Sequence, residues 1–134
     1  MSVENRMKLC SLRSGSRGNA VLVYTDHTKI LVDCGVSGKT VADSLLSIDI
    51  DPTELSAIVV THEHRDHIAG IGVMTRRYGL PVYANRETWR AMEKDVGKIS
   101  SQNIRIFDGD QAFEIGDVGI LPFSIPHDAV NPVG

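Results

Sequence analysis

Apolar positions form three short runs near the N-terminus, separated by polar segments. Residues 7–12, 19–25 and 29–34 are rich in valine, isoleucine and leucine. The polar segments RSGSRG and DHT separate these runs and have the composition of turns. Short runs of this kind, joined by polar turns, are typical of β-strands. The first quarter of the chain therefore predicts an antiparallel meander of three strands.

Helical spacing of apolar residues follows in the middle of the chain. The segment 37–48 has apolar residues on one helical face, and Ser37 stands where an N-cap is expected. The segment 66–79 predicts one continuous helix that ends at a glycine before a proline. The segment 86–96 predicts another amphipathic helix, capped by Asn85.

Further strands are predicted between and after these helices. A fully buried strand is expected in SAIVVT, directly after the turn-like segment DPTEL. The other expected strands are PVYA at 81–84, IRIF at 104–107, QAFEI at 111–115 and VGILPFSI at 118–125. The two-residue link Gly116-Asp117 between the last two strands is a hairpin signal.

Composition limits the classes of protein to which the chain can belong. Its 134 residues are 42% hydrophobic and 23% charged, which is typical of a globular domain with its own core. The formal net charge of -3 argues against a protein that grips nucleic acid by bulk electrostatics. The apolar runs are too short for a membrane span and no signal-peptide pattern is seen, so we expect a cytoplasmic protein. Cys10 and Cys34 lie in apolar runs and are expected to be free thiols.

A cluster of polar side chains follows the predicted buried strand. The segment THEHRDH places His62, His64, Asp66 and His67 within six positions. Alternate residues of an extended segment point to the same side, so His62 and His64 are expected to share one side. Imidazole and carboxylate together suit zinc, manganese or ferrous iron. A polar surface loop is the alternative explanation, and it becomes weaker because four ligand-type residues occur together.

This H-x-H-x-D-H segment after a strand resembles the metallo-β-lactamase fold superfamily. The segments SLRSGSRGNAVLV, THEHRDHIAGIGVMTRRYGLPVYANRETWRAME and SIPHDAVNPVG are further similar to the YycJ/WalJ group of DNA exonucleases within it. The resemblance implies an α+β fold, a four-layer αββα sandwich of two halves with the metal site between them. Residues 1–134 would form a single, partial domain: the N-terminal half, with a mixed sheet and two to three helices on one face.

The resemblance also implies a set of site residues. His62, His64 and His127 would bind one metal ion, and Asp66 and His67 would begin a second site. Asp33, at the end of the third strand, would orient these ligands without binding the metal itself. His64 and Asp66 would be the catalytic residues, with Asp66 orienting or deprotonating the attacking water. His127 beside a proline and Asp33 two residues before a glycine are also common in ordinary turns.

Other residues near this site are weaker candidates for substrate contacts. Ser14, Ser16 and Asn19 lie in or beside the glycine-rich SGSRGN turn, which would meet a phosphate or would simply join two strands. Arg65, between two ligands, would meet a phosphate or remain an exposed loop arginine. Arginines on the two later helices would supply a local basic patch or a solvated helix face.

The sequence departs from the superfamily pattern in its extent. The later aspartate that bridges two metals and the final histidine of the second site have no counterpart in these 134 residues. We therefore expect either a fragment or a chain that completes itself by pairing. The sheet face opposite the helices would leave several hundred Å² of apolar surface bare, at a cost of about 25 cal/mol per Å². This predicts a homo-oligomer, pairing with a C-terminal half, or poor solubility.

Three functions remain open from the sequence. The resemblance favours a metal-dependent phosphodiester hydrolase, a DNA exonuclease that uses one or two zinc or manganese ions. A metallo-hydrolase of a small phosphodiester, thioester or lactam is the second possibility, because one fold hosts many reactions. The third is a non-catalytic metal-binding half-domain.

Overall fold

The computed structural model describes residues 7–13, 18–61, 65–108 and 111–122. Of Arg13, Arg65 and Asp66 it describes the backbone. The strands are β1 (Lys8–Arg13), β2 (Ala20–Tyr24), β3 (Lys29–Val32), β4 (Ala57–Val59), β5 (Val82–Asn85), β6 (Ile104–Phe107), β7 (Phe113–Ile115) and β8 (Val118–Ile120). The helices are α1 (Gly38–Leu46), α2 (Arg65–Ile68), α3 (Ile71–Tyr78) and α4 (Arg86–Val96), with single 3-10 turns at Pro52–Glu54 and Ser101–Asn103.

Strands β1 to β6 form one mixed sheet in the order β1-β2-β3-β4-β5-β6. The pairs β1–β2 and β2–β3 are antiparallel, so the predicted meander is confirmed. The pairs β3–β4, β4–β5 and β5–β6 are parallel. The carboxyl ends of β3 to β6 therefore meet at one edge of the sheet, where ligand sites of α/β sheets usually lie. The predicted α+β fold with a mixed sheet is confirmed.

The helices cover one face of this sheet. One row of completely buried side chains crosses four adjacent strands on that face: Leu22, Leu31, Ile58 and Val82. They belong to one core cluster with the helical side chains Val41, Leu45, Met74 and Met92. Burying a side chain of this size stabilises the fold by about 1.5–3 kcal/mol. The parallel strands are thus held against α1, α3 and α4 by a continuous apolar core.

Local capping explains where the helices begin and end. The Ser37 side chain accepts a hydrogen bond from the Thr40 backbone N–H at 3.2 Å, and α1 begins directly after it. Asn85 Oδ1 accepts from the Thr88 N–H at 2.8 Å and caps α4 in the same way. Gly79 takes a left-handed φ of 65° at the end of α3. The predicted caps at Ser37 and Asn85 are confirmed.

The continuous helix predicted over residues 66–79 is wrong. The structure has two helices, α2 and α3, separated at Ala69 and Gly70. The Gly70 N–H turns away from the helix and donates to the Cys34 carbonyl oxygen at 2.8 Å. A Cβ on Gly70 would lie 2.1 Å from the Val36 carbonyl oxygen, so only glycine allows this close approach. The break is imposed by contact with the loop after β3, which a periodicity argument does not include.

A hairpin packs on the other face of the sheet, which we call the second face (Val23, Ile30, Val32, Ala57 and Val59). Strands β7 and β8 pair with each other, and Gly116 and Asp117 make the expected two-residue link. Both strands are shorter than predicted. Ile115 and Val118 of the hairpin pack against Ile30, Ala57 and Val59 in a second core cluster. The second face is therefore less bare than the sequence suggests, although Leu9 beside it is 72% exposed.

Candidate metal centre

The described part of the candidate site lies at the carboxyl edge of β3 and β4. Asp33 directly follows β3, Thr61 follows β4 after one intervening residue, and His67 lies in α2. The Asp33 N–H donates to the Val59 carbonyl oxygen at 2.8 Å, which holds the two strand ends side by side. Asp33 thus meets Thr61 and His67, which are 28 and 34 positions away in sequence, at the point where the sheet changes from antiparallel to parallel pairing.

The Asp33 carboxylate accepts three hydrogen bonds, and its side chain is 7% exposed. The Thr61 backbone N–H donates to Oδ1 at 2.8 Å, and the Thr61 hydroxyl donates to Oδ2 at 2.7 Å. His67 Nδ1 lies 2.6 Å from the same Oδ2. Asp33 also has a left-handed φ of 62°, a conformation that aspartate tolerates better than most residues. The backbone bends at Asp33 so that its carboxylate reaches both Thr61 and His67.

The two ring nitrogens of His67 have different partners. Nδ1 faces the Asp33 carboxylate, and Nε2 lies 3.2 Å from the Asn19 amide nitrogen. An amide nitrogen only donates, so with this Asn19 orientation Nε2 accepts a hydrogen bond, and Nδ1 carries the ring proton and donates a hydrogen bond to Asp33. A histidine that binds a metal through one ring nitrogen commonly donates its other ring N–H to a carboxylate. The donor set is therefore chemically suited to a divalent metal on the Nε2 side.

Backbone contacts fix α2 against the loop that follows β3. The Cys34 N–H donates to the His67 carbonyl oxygen at 2.8 Å. The Gly35 N–H donates to the Asn19 carbonyl oxygen, also at 2.8 Å. The loop after β3 thus connects Asp33 and Asn19, which contact the His67 ring, to helix α2, which carries His67.

Both cysteines are free, as expected, and Cys34 beside the site is fully buried. Burial, and then the nearby Asp33 carboxylate, raise the pKa of the Cys34 thiol to about 12. The thiolate is the form that binds metal or acts as a nucleophile. Without a metal the Cys34 thiol is therefore protonated at neutral pH, and it packs as a small residue in the core cluster.

Most of the predicted metal ligands lie outside the described residues. His62, His64 and His127 fall in undescribed segments, as do Ser14 and Ser16. The side chains of Arg65 and Asp66 are likewise outside the description. Within the described ranges, no group of three or more histidine, cysteine, aspartate or glutamate side chains is placed to hold a metal. The predicted ligand set stays a prediction. Of the predicted site residues, the structure brings together the ligand candidate His67, the orienting residue Asp33 and the substrate-contact candidate Asn19.

Thr61 is a site residue that the sequence argument missed. It gives both its N–H and its hydroxyl to Asp33. Its position directly before His62 at the end of a buried strand was the available signal. The contact itself depends on β3 lying beside β4, which composition and periodicity do not reveal.

The family comparison agrees with this geometry. The family model of the metallo-beta-lactamase superfamily matches residues 13–132. The chain belongs to the metallo-β-lactamase superfamily. Membership implies that the site binds a divalent metal, because this is a superfamily of metal-dependent proteins.

Among the described residues, no helix has the length and apolar character needed to cross a membrane.

Relatives within the superfamily include two named exonucleases. The exodeoxyribonuclease WalJ of Streptococcus pneumoniae serotype 2 (strain D39 / NCTC 7466) is 46% identical over 127 residues, covering 93% of this chain and 47% of that protein. The exodeoxyribonuclease YycJ of Bacillus anthracis is 44% identical over 122 residues, covering 91% and 46%. The chain thus spans about half the length of these relatives.

Solved structures of metallo-β-lactamases share the fold. A B3 metallo-β-lactamase with an active-site glutamic acid superposes with a TM-score of 0.77 at 18% identity, covering 93% of this chain and 52% of that one. BJP-1, a subclass B3 enzyme of Bradyrhizobium japonicum, also gives 0.77, at 16% identity, covering 98% and 54%. At such identities the similarity concerns the fold alone.

Proposed function

We propose that this chain is the metal-binding part of a metal-dependent phosphodiester hydrolase that acts as a DNA exonuclease. The observation that carries the proposal is the Asp33–His67 contact at 2.6 Å, which turns Nε2 of His67 away from the carboxylate. The similarity to two named exodeoxyribonucleases over more than nine-tenths of the chain supports DNA as the substrate. A cytoplasmic location remains a prediction from the sequence.

The proposed metal ligands follow the superfamily pattern. His62, His64 and His127 hold one ion, and Asp66 and His67 contribute to a second. Nitrogen and oxygen ligands of this kind admit zinc or manganese. Asp33 holds His67 in the tautomer that presents Nε2 to the ion, and Thr61 holds Asp33.

The mechanism assigns separate tasks to the chain's own residues. A metal held by these residues would lower the pKa of its bound water and would stabilise negative charge on the leaving oxygen. Asp66 orients the attacking water and takes its proton. Arg65, Ser14, Ser16 and the Asn19 amide bind the phosphate, with Asn19 exchanging its contact to His67 for one to substrate. In-line attack on the phosphodiester then releases a nucleotide.

The proposed activity requires a complement to this chain. Its length is about half that of the named exonucleases, whose remaining half has no counterpart in these residues. We propose that the complement is a C-terminal half or a second copy, and that it packs against the second face. Apolar side chains at the margin of this face support this, since Leu9 and Leu121 are 72% and 67% exposed.

The test is nucleotide release from DNA by the purified chain together with its complement, the C-terminal half or a second copy, with added Mn²⁺ or Zn²⁺. We expect release by the wild type and its loss in His64→Ala. His27→Ala is the matched control, because His27 lies exposed in the β2–β3 turn, away from the site. Equal activity of His64→Ala and the wild type would contradict the proposed metal site.

A second candidate is hydrolysis of a small substrate. The hydroxyacylglutathione hydrolase of Bdellovibrio bacteriovorus is 38% identical over 69 residues, which cover 49% of this chain. Turnover of a chromogenic small ester without nucleotide release would favour this function. Metal uptake without any turnover would favour a non-catalytic metal-binding half-domain.

A further inference from the structure

A groove runs along the sheet edge between α4 and β6. It has a volume of about 400 Å³ and a floor of apolar side chains, with charged side chains along its rim. The floor is formed by Trp89, Val96, Ile99, Ile104 and Ile106, and the rim by Arg86, Arg90, Glu93 and Lys98. We call this the α4–β6 groove.

The floor of the groove is tied together by a hydrogen bond and is incompletely covered. Trp89 Nε1 donates to the Arg105 carbonyl oxygen at 2.8 Å, which ties α4 to β6. Ile104 and Ile106 on the edge strand are 37% and 47% exposed. Two isoleucines open to solvent beside a fixed wall form a surface on which a flat apolar group can lie.

One end of the groove lies at the same sheet edge as the candidate metal centre. Arg86 directly follows Asn85, the last residue of β5, and β5 pairs in parallel with β4. Thr61 and the ligand segment follow β4, so Arg86 starts about 5 Å, one strand spacing, from the strand that leads into the site. From there α4 carries the rim away from the site for 11 residues, about 16 Å.

The charge of the rim is opposite to that of the whole chain. The rim has three cations and one carboxylate, whereas the chain has a formal net charge of -3. Direct ion pairs between described side chains include those of Lys29, Lys39 and His67. None of these pairs involves Arg86, Arg90 or Lys98.

These features select a ligand that is anionic along its length and also has flat apolar groups. Single-stranded nucleic acid has both, in its phosphates and in its bases. An acidic peptide that pairs with the β6 edge would satisfy the charge, but it would not need a groove that begins at the metal centre. The position of Arg86 therefore favours the nucleic acid.

We propose that the α4–β6 groove binds the single DNA strand that extends from the metal centre, with Arg86, Arg90 and Lys98 contacting its phosphates. This inference rests on the proposed exonuclease function. At 3.4 Å per stacked nucleotide, a 16 Å rim contacts about five nucleotides.

The experiment measures binding of a fluorescent single-stranded oligonucleotide by anisotropy, in EDTA so that no cleavage occurs. Lys98→Ala is compared with Lys94→Ala, a matched pair on or just after α4 of which only Lys98 lines the groove. We expect Lys98→Ala to weaken binding about fivefold at low salt, as for an exposed ion pair, and Lys94→Ala to leave it unchanged. The double variant Arg86→Ala/Arg90→Ala should flatten the slope of log affinity against log salt by about 1.4.

The outcomes separate this inference from the proposed function. Equal binding by Lys98→Ala and Lys94→Ala, in a protein that still degrades DNA with Mn²⁺, overturns the groove alone. A wild type that neither binds nor degrades DNA in the presence of its complement overturns both proposals. If the groove substitutions weaken the binding of a fluorescent acidic peptide but not the binding of DNA, the groove is assigned to a polypeptide partner instead. Thermal unfolding of each variant identifies any loss that comes from misfolding.

Discussion

The Asp33 carboxylate links the end of β3 to Thr61 and His67, which are 28 and 34 positions further along the chain. It follows β3, accepts two hydrogen bonds from Thr61 after β4, and contacts His67 in α2. Partners behind a metal-binding histidine fix its tautomer and the direction of its ring. At the residue scale, the site therefore depends on a side chain that is not itself a proposed ligand.

Asp33→Asn is expected to lower zinc affinity about 10- to 100-fold, because the neutral amide holds the His67 Nδ1–H less strongly. Calorimetric titration of zinc into the metal-free protein measures this directly. Asp49→Asn is the matched control, since Asp49 has the same left-handed φ of 62° and is exposed. Unchanged zinc affinity in Asp33→Asn would contradict the role given to Asp33.

At the scale of elements, the Gly70 break sets where α2 and its histidine lie. A methyl group at Gly70 would meet the Val36 carbonyl oxygen and the Cys34 sulfur at 2.1 and 2.8 Å. We expect Gly70→Ala to lower the free energy of unfolding by about 1–3 kcal/mol, as overpacking against backbone does. Gly119→Ala is the control, because nothing lies within 4 Å of a Cβ there. Urea unfolding of both variants measures this difference. Equal free energies of unfolding for Gly70→Ala and Gly119→Ala would show that α2 shifts to accept the methyl group without cost.

The Gly70 break also marks where prediction from sequence stops. Periodicity and capping residues predicted the strands of the meander and the caps at Ser37 and Asn85, because these depend on neighbours in the chain. The break depends on a carbonyl oxygen of another loop, and the contact between Thr61 and Asp33 depends on strand order. The ligand-rich segment itself was visible from His62 to His67, since its signal is local.

The β7–β8 hairpin is anchored to the first sheet by a polar contact at its turn. The Thr25 hydroxyl lies 2.8 and 2.9 Å from the two Asp117 carboxylate oxygens, and the Asp117 N–H donates to the Thr28 hydroxyl at 3.2 Å. The hydroxyl groups of Thr28 and Thr25 hold the pKa of Asp117 below its usual value. The folded state therefore favours the ionised carboxylate.

A carboxylate with a lowered folded pKa stabilises the fold above its unfolded pKa of about 3.9. That contribution is lost as the pH falls through the lower, folded pKa. Asp117→Asn should therefore be less stable than the wild type at pH 7, and the difference should shrink below about pH 4. Urea unfolding at both pH values measures it, with the exposed turn residue Asp26 changed to Asn as the control. A difference that does not change with pH would show that the charge of Asp117 is not involved.

At the scale of the molecule, the hairpin leaves part of the second face open. A groove of about 290 Å³ remains there between the sheet and β8, lined by Val23, Val32, Val59, Phe107 and Ile120 among others. Leu9 lies opposite Val23 in the β1–β2 pair, and Leu121 follows β8. Apolar surface of this kind costs about 25 cal/mol per Å² while it faces water. Association that covers it is therefore favourable.

We expect the 134-residue chain to self-associate at micromolar concentration when no C-terminal half is present. Leu9→Glu/Leu121→Glu should shift it toward the monomer, because association would then bury two carboxylates. Leu46→Glu is the control: Leu46 is 55% exposed, but it lies on α1, on the helical side of the sheet. Light scattering gives the mass of each variant. A wild type that stays monomeric would show that the second face needs no cover, and equal masses for both variants would place the contact elsewhere.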